Sequence, residues 1–140
     1  MKVIGIHIDK TKAIFYVIEM DGFSHLKNLT GDFRYLILKD DTNNANIREF
    51  QRTVHAFFDK QSPDRIAILA RQTKGRFRSA PLSFKIEGLI QCYEEIDVEF
   101  VSGPKMGAYF KKNEFDLPLE FDYQEQAAKV AYYIAVQENP

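Results

Sequence analysis

The stretch Met1 to Met20, MKVIGIHIDKTKAIFYVIEM, constrains the fold more than any other part of this chain. Two runs rich in β-branched and aromatic residues flank Asp9-Lys10-Thr11-Lys12, a connection short enough only for a tight turn between antiparallel strands. Strand side chains alternate with period two, so Ile4, Ile6 and Ile8 share one face and Val3, Gly5, His7 and Asp9 the other. The first face is wholly apolar, while the second begins apolar and turns polar towards the strand's C-terminal end. This is the pattern of a central strand in an α/β sheet, covered on both sides and polar only where the sheet opens. His7 and Asp9 stand about 6.6–7 Å apart along that strand, and a site is expected there.

The rest of the chain supplies the layers around this hairpin. Asp21-Gly22 reads as a turn and Phe23 to Gly31 as a mixed loop. Phe33 to Lys39 predicts a third strand, ended by Asp40-Asp41-Thr42-Asn43-Asn44. Ile47, Phe50, Val54, Phe57 and Phe58 recur at helical steps over about 45–60, and Ser62-Pro63-Asp64 stops that helix. Arg65 to Ala70 is a short apolar run of the kind buried on both faces of a sheet. Pro81 suits the first turn of a helix with Leu82, Ile86, Leu89, Ile90 and Tyr93 on one face. Val98 to Val101 predicts another strand, and Ser102-Gly103-Pro104 opens a helix with Met106, Tyr109 and Phe110 inward. After a loop over Asn113 to Phe121, Asp122 and Glu125 stand at capping-box spacing before a helix carrying Ala127, Ala128, Val130, Ala131 and Ile134.

The order β-β-β-α-β-α-β-α-α predicts an α/β fold: a five-stranded mixed sheet, order 3-2-1-4-5, with strand two antiparallel and helices on both faces. Residues 1–140 are expected to form a single domain, since 140 residues suit one core. The lone cysteine, Cys92, excludes an internal disulfide framework, suits a cytoplasmic setting and is expected to be buried. No apolar run reaches the roughly 20 residues of a membrane span, and the N-terminus lacks signal-peptide features, so no membrane role is expected. A net charge of −1 means that any nucleic-acid binding must come from a local patch.

Two motifs carry a resemblance. VIGIHIDKTKAIFYVIE resembles the opening hairpin of ribonuclease H-like proteins, especially the branch of the bacterial Holliday-junction resolvases. IAILARQTKGRF followed by SFKIEGLIQ resembles the bacterial family catalogued as domain of unknown function 3010, and the likeness in element order covers nearly the whole chain. In the resolvase branch, acidic side chains end strand one, end strand four and sit on the last helix. The resemblance implies that they hold two divalent metals about 3.5–4 Å apart, which clamp the attacking and leaving oxygens of a phosphodiester. Here those positions read His7, Ala70 and Gln126, none of them a carboxylate. Asp9 lies one pleat repeat further on, and Glu125 precedes Gln126, turned by about 100°. Mg²⁺ requires hard oxygen ligands, which a methyl group cannot supply. Two-metal hydrolysis is therefore expected to be lost, with no cofactor; Mg or Mn enters only if Asp9 works with other acids such as Glu19, Glu87 or Glu125.

Arg71, Lys74, Arg76, Arg78 and Lys85 form a basic run uninterrupted by any acid before Glu87, directly after strand four. Gly75 allows close backbone approach, so the run reads as an anion- or nucleic-acid-binding edge, or else as a solvated loop with some charges paired. It is not a P-loop, because the G-x-x-x-x-G-K-[S/T] frame is absent. His7 with Asp9 makes at most half a metal site, so no metal is assigned, and His25 and His55 read as surface residues. Glu114, Asp116, Glu120, Asp122 and Glu125 form an acidic tract that is expected to be solvated. Tyr132 and Tyr133 are adjacent on a helix and cannot both face inward, which leaves one exposed and hints at a protein contact.

Three functions follow. The first is a catalytically degenerate ribonuclease H-like module that binds DNA, RNA or a nucleic-acid-processing partner. The second is an active metal-dependent nuclease built on Asp9. The third is a protein-interaction or homodimerising module without a nucleic-acid role.

Overall fold

The computed structural model describes residues 1–71 and 81–138. The hairpin forms as the sequence predicts. β1 (Lys2–Asp9) and β2 (Lys12–Met20) pair antiparallel in unbroken register from Lys2↔Glu19 to Asp9↔Lys12. Lys10, at the turn, takes a left-handed φ of 57°. On its other side β1 runs parallel to β5 (Arg65–Leu69), which runs parallel to β6 (Val98–Val101). Ile68 is fully buried, as the centre of such a sheet requires.

The edge beside β2 departs from expectation. Instead of one strand over Phe33–Lys39, two short strands share that edge, making the sheet six-stranded. β3 (Leu26–Asn28) pairs with Ile18 to Met20, and β4 (Tyr35–Ile37) pairs with Lys12 to Ile14. Between them, Leu29 N donates to Val17 O and Phe15 N to Arg34 O, both at 2.8 Å. Residues 30–33 therefore stand opposite Tyr16 alone, an interruption eased by Gly31 at φ +65°. Thr30 Oγ1 accepts the Val17 N–H at 3.0 Å, so the backbone there is satisfied without a continuous ladder. Leu26-Lys27-Asn28 escaped a sequence reading because it is polar and short; unpaired backbone on β2, not burial, makes it a strand.

The helices are α1 (Asn44–Gln61), α2 (Pro81–Gln91), α3 (Gly103–Lys112) and α4 (Glu125–Glu138). Asn43 caps α1 by accepting the Asn46 N–H at 3.1 Å, and Ser62 ends it in a left-handed conformation. Ser102 caps α3. The start of the last helix differs from the sequence reading. A 3₁₀ turn, Asp122–Gln124, precedes α4, and Gln124 Oε1, rather than Glu125, accepts the Phe121 N–H at 3.1 Å.

The two faces of β1 belong to different layers, as its alternation requires. Ile4, Ile6 and Ile8 pack with Phe50, Val54 and Phe58 of α1 and with Ile86 and Ile90 of α2. Val3 packs with Ala127, Ala128 and Ala131 of α4 on the opposite face. Gly5 explains how closely α4 lies: a Cβ there would stand 2.2 Å from Ala127 O and 2.6 Å from Ala131 N. Glycine on the strand and alanines on the helix bring the α4 backbone onto the sheet.

Three smaller expectations are corrected. Cys92 is exposed, because α2 ends at Gln91 and carries it past the packed face. His55 is half-buried and bridges two helices, its Nε2 lying 2.9 Å from Leu89 O and its ring against Phe58 and Tyr93. Tyr132 and Tyr133 are both half-buried: Tyr132 packs on Phe110 and Phe115, and Tyr133 on Tyr109, so α3 and the following loop cover both flanks of α4. No helix among the described residues is long and apolar enough to cross a membrane.

Candidate functional site

The crevice lies where β1 and β5 end and α4 begins. Directly opposed residues of an antiparallel pair share a face, so the register sets out two rows across the sheet. One row runs His7, Ile14, Tyr35; the next, nearer the open end, runs Asp9, Lys12, Ile37. Both are on the α4 side, since Ile14 packs in the α4 cluster. With Ala127 and Ala131 over Gly5, and Tyr123 of the 3₁₀ turn at the hairpin's turn end, this layer buries Ile14 and half-covers His7 but stops short of Tyr35 and of the outer row. Asp9, Tyr35 and Ile37 are consequently exposed.

His7 sits at the margin of this cover. Its Nδ1 is buried without a hydrogen-bond partner. Burial pushes the imidazole below its ordinary pKa, and the neighbouring Asp9 carboxylate only partly opposes this. Ala70 is exposed at the end of β5, its N–H donating to Val101 O at 2.9 Å, and Gln126 is half-buried on α4. The carboxylates considered as substitutes do not gather round Asp9. Glu19 pairs with Lys2 at the opposite end of the hairpin, seven residues or about 23 Å away along β1. Glu87 is ion-paired with Arg71, and Glu125 Oε1 lies 2.9 Å from Lys129 Nζ. Among the described residues no three His, Cys, Asp or Glu side chains come together to hold a metal ion. These residues do not fit a two-metal centre.

The basic run divides. Arg71 turns inward: its side chain is 6% exposed, it pairs with Glu87, and its guanidinium lies 4.5 Å over the Phe84 ring. Its Nε and Nη1 are buried without partners. Lys85 Nζ donates to Asp41 O at 2.6 Å and lies 3.5 Å from the Asp41 carboxylate. Lys74, Arg76 and Arg78 lie outside the described residues. Arg71 thus anchors the start of the run to α2, and Lys85 ties α2 to the turn before α1.

Beside the crevice is a cluster that the sequence reading missed. Lys12 Nζ lies 5.0 Å from the Tyr35 ring centre and 5.2 Å from that of Tyr123. Tyr35 and Tyr123 meet edge to face at 5.8 Å, and Tyr123 stacks on Phe121 at 5.6 Å. Arg34 lies 4.5 Å over Phe121 and donates from Nε to the Tyr123 hydroxyl at 3.2 Å. Lys12-x-x…Arg34-Tyr35…Phe121-x-Tyr123 has no spacing signature; only the basic-aromatic pairs themselves were visible. Strand pairing and the 3₁₀ turn bring them together.

Against known proteins, a family model described as "Protein of unknown function (DUF3010)" matches residues 1–134. None of the curated proteins matches the sequence. Among solved structures, Thermus thermophilus RuvC superposes with a TM-score of 0.74 at 12% identity, covering 98% of this chain and 97% of that one. T. thermophilus RuvC in complex with a Holliday junction substrate gives 0.71 at 13% identity, over 99% and 97%. The yeast mitochondrial Holliday junction resolvase gives 0.60 at 11% identity, over 95% and 75%. At these identities the likeness shows a shared ribonuclease H-like fold.

Proposed function

This chain belongs to the DUF3010 family of proteins of unknown function, and from that premise we propose a nucleic-acid-binding module that has given up two-metal hydrolysis. The fold is that of RuvC-like resolvases, one of which is seen with a Holliday junction substrate. The observation that carries the reading is the outer row of the crevice. Asp9, the one carboxylate on that face of β1, stands directly opposite Lys12. A metal anchor wants further carboxylates there; an ammonium instead favours the ligand's phosphates directly.

The test is binding and cleavage by the purified protein on single-stranded, duplex and four-way-junction DNA and on RNA–DNA hybrid, with Mg²⁺ or Mn²⁺. Binding that weakens with salt, without cleavage, is expected. Cleavage that disappears in Asp9→Ala overturns the proposal and establishes a metal-dependent nuclease. Absence of salt-sensitive binding even at low ionic strength overturns it in favour of a protein-interaction module.

A further inference from the structure

We propose that the cluster on β2, β4 and the 3₁₀ turn is a stacking platform for the unpaired bases of single-stranded nucleic acid. The proposal rests on the nucleic-acid-binding reading above and adds the strand state that is recognised. Three rings form a chain, Tyr35 to Tyr123 to Phe121, with successive centres 5.8 and 5.6 Å apart. A cation is set against each end, Lys12 over Tyr35 and Arg34 over Phe121. The outer rings remain open to solvent, Tyr35 at 43% and Phe121 at 38%, with Ile37 at 44% beside them on β4.

Isolated exposed aromatics need no explanation. Here the rings are contiguous and interleaved with cations on the face that opens into the crevice. The cations are not consumed by strong ion pairs: Lys12 Nζ lies over rings, and Arg34 Nη1 is 3.9 Å from Glu120. Lys10 at the hairpin turn and Lys39, following Leu38 whose N–H donates to Thr11 O at 2.9 Å, add positive charge at the same end. A polyanion with accessible π faces meets all of these features. Duplex DNA offers the charge but keeps its base faces inside the stack, so unpaired nucleotides are the ligand that uses the rings. A second copy of this chain would bring the same cations against these, which disfavours it as occupant.

The chain contains no tryptophan, so Tyr35→Trp makes a specific reporter. Its emission is expected to be quenched by an oligothymidylate and left nearly unchanged by a duplex of equal length. In fluorescence anisotropy, Tyr35→Ala and Phe121→Ala are each expected to weaken oligothymidylate binding by about 5- to 150-fold, the range for loss of one base–aromatic stack. Duplex binding should change by less than about twofold. Circular dichroism checks that both exposed-site variants remain folded. Equal weakening for both ligands, or none for either, overturns the platform while nucleic-acid binding stands. Wild-type protein that binds duplex but not oligothymidylate does the same. If no nucleic acid binds at all, the underlying reading falls first. If the alanine variants instead convert a dimer into a monomer in light scattering, the face is a self-association surface and the proposal is wrong.

Discussion

His7 occupies the place where the resolvase resemblance implies an acid, and its surroundings fix its charge. Its Nδ1 is buried and unpartnered, and burial holds its pKa below the free value of 6.5. Between the folded and unfolded pKa values the unfolded chain binds more protons, so stability rises with pH across that window. The His7 contribution is therefore intact above about pH 6.5 and is lost as the pH falls towards and through the lowered folded value. Urea midpoints of the wild type and of His7→Gln are compared from about pH 7.5 down to 5, and the wild-type midpoint should fall relative to that of the variant on acidification. An unchanged difference across that range would mean that His7 does not titrate differently in the two states.

At the element scale, the contact of α4 on β1 decides where the crevice opens. Gly5 is required because its missing Cβ would collide with the α4 backbone, which cannot move aside as a flexible side chain can. Gly5→Ala should destabilise by at least the about 1–3 kcal/mol typical of overpacking. Gly88, exposed on α2 with nothing within 4 Å of an added Cβ, provides the contrast. Gly88→Ala should stabilise by about 0.5–1 kcal/mol, because only the backbone entropy changes. Urea denaturation of both variants checks the pair, and similar effects at the two sites would contradict the close packing of α4. The interrupted edge has a comparable consequence: the residues between β3 and β4 shift the register, and that shift sets Tyr35 beside Lys12.

For the molecule as a whole, a net charge of −1 requires that affinity for a polyanion arise locally. Lys74, Arg76 and Arg78 follow β5, where open α/β sheets place their ligands, and are proposed as phosphate contacts. Each phosphate contact adds about −0.9 to the slope of log affinity against log salt on duplex DNA. Changing all three to Ala should flatten that slope by roughly two to three units and weaken binding similarly across sequences. A slope identical to wild type would remove these residues from the interface. The same titration separates this edge from the aromatic platform, whose exposed rings carry no charge and should leave the slope as it is.

The hairpin faces, the central β5 strand, the helix start at Ser102-Gly103-Pro104 and the apolar stripes of α1 and α4 were all legible in the sequence, because each rests on spacing within a few residues. The placing of His7, Ala70 and Gln126 at the resembled acidic positions came from element order and is part of the proposal that two-metal hydrolysis is lost. The tertiary structure decided what those residues meet. It turned Arg71 from a candidate ligand-binding charge into a buried partner of Glu87 and placed Glu19 at the wrong end of the sheet for Asp9. It also joined Lys12 and Arg34 to rings at Tyr35, Phe121 and Tyr123, with Arg34 and Tyr123 separated by 89 positions. Local periodicity states which face a side chain takes. Which side chains share that face across the sheet depends on strand register and on how closely α4 approaches, and neither is encoded within any one segment.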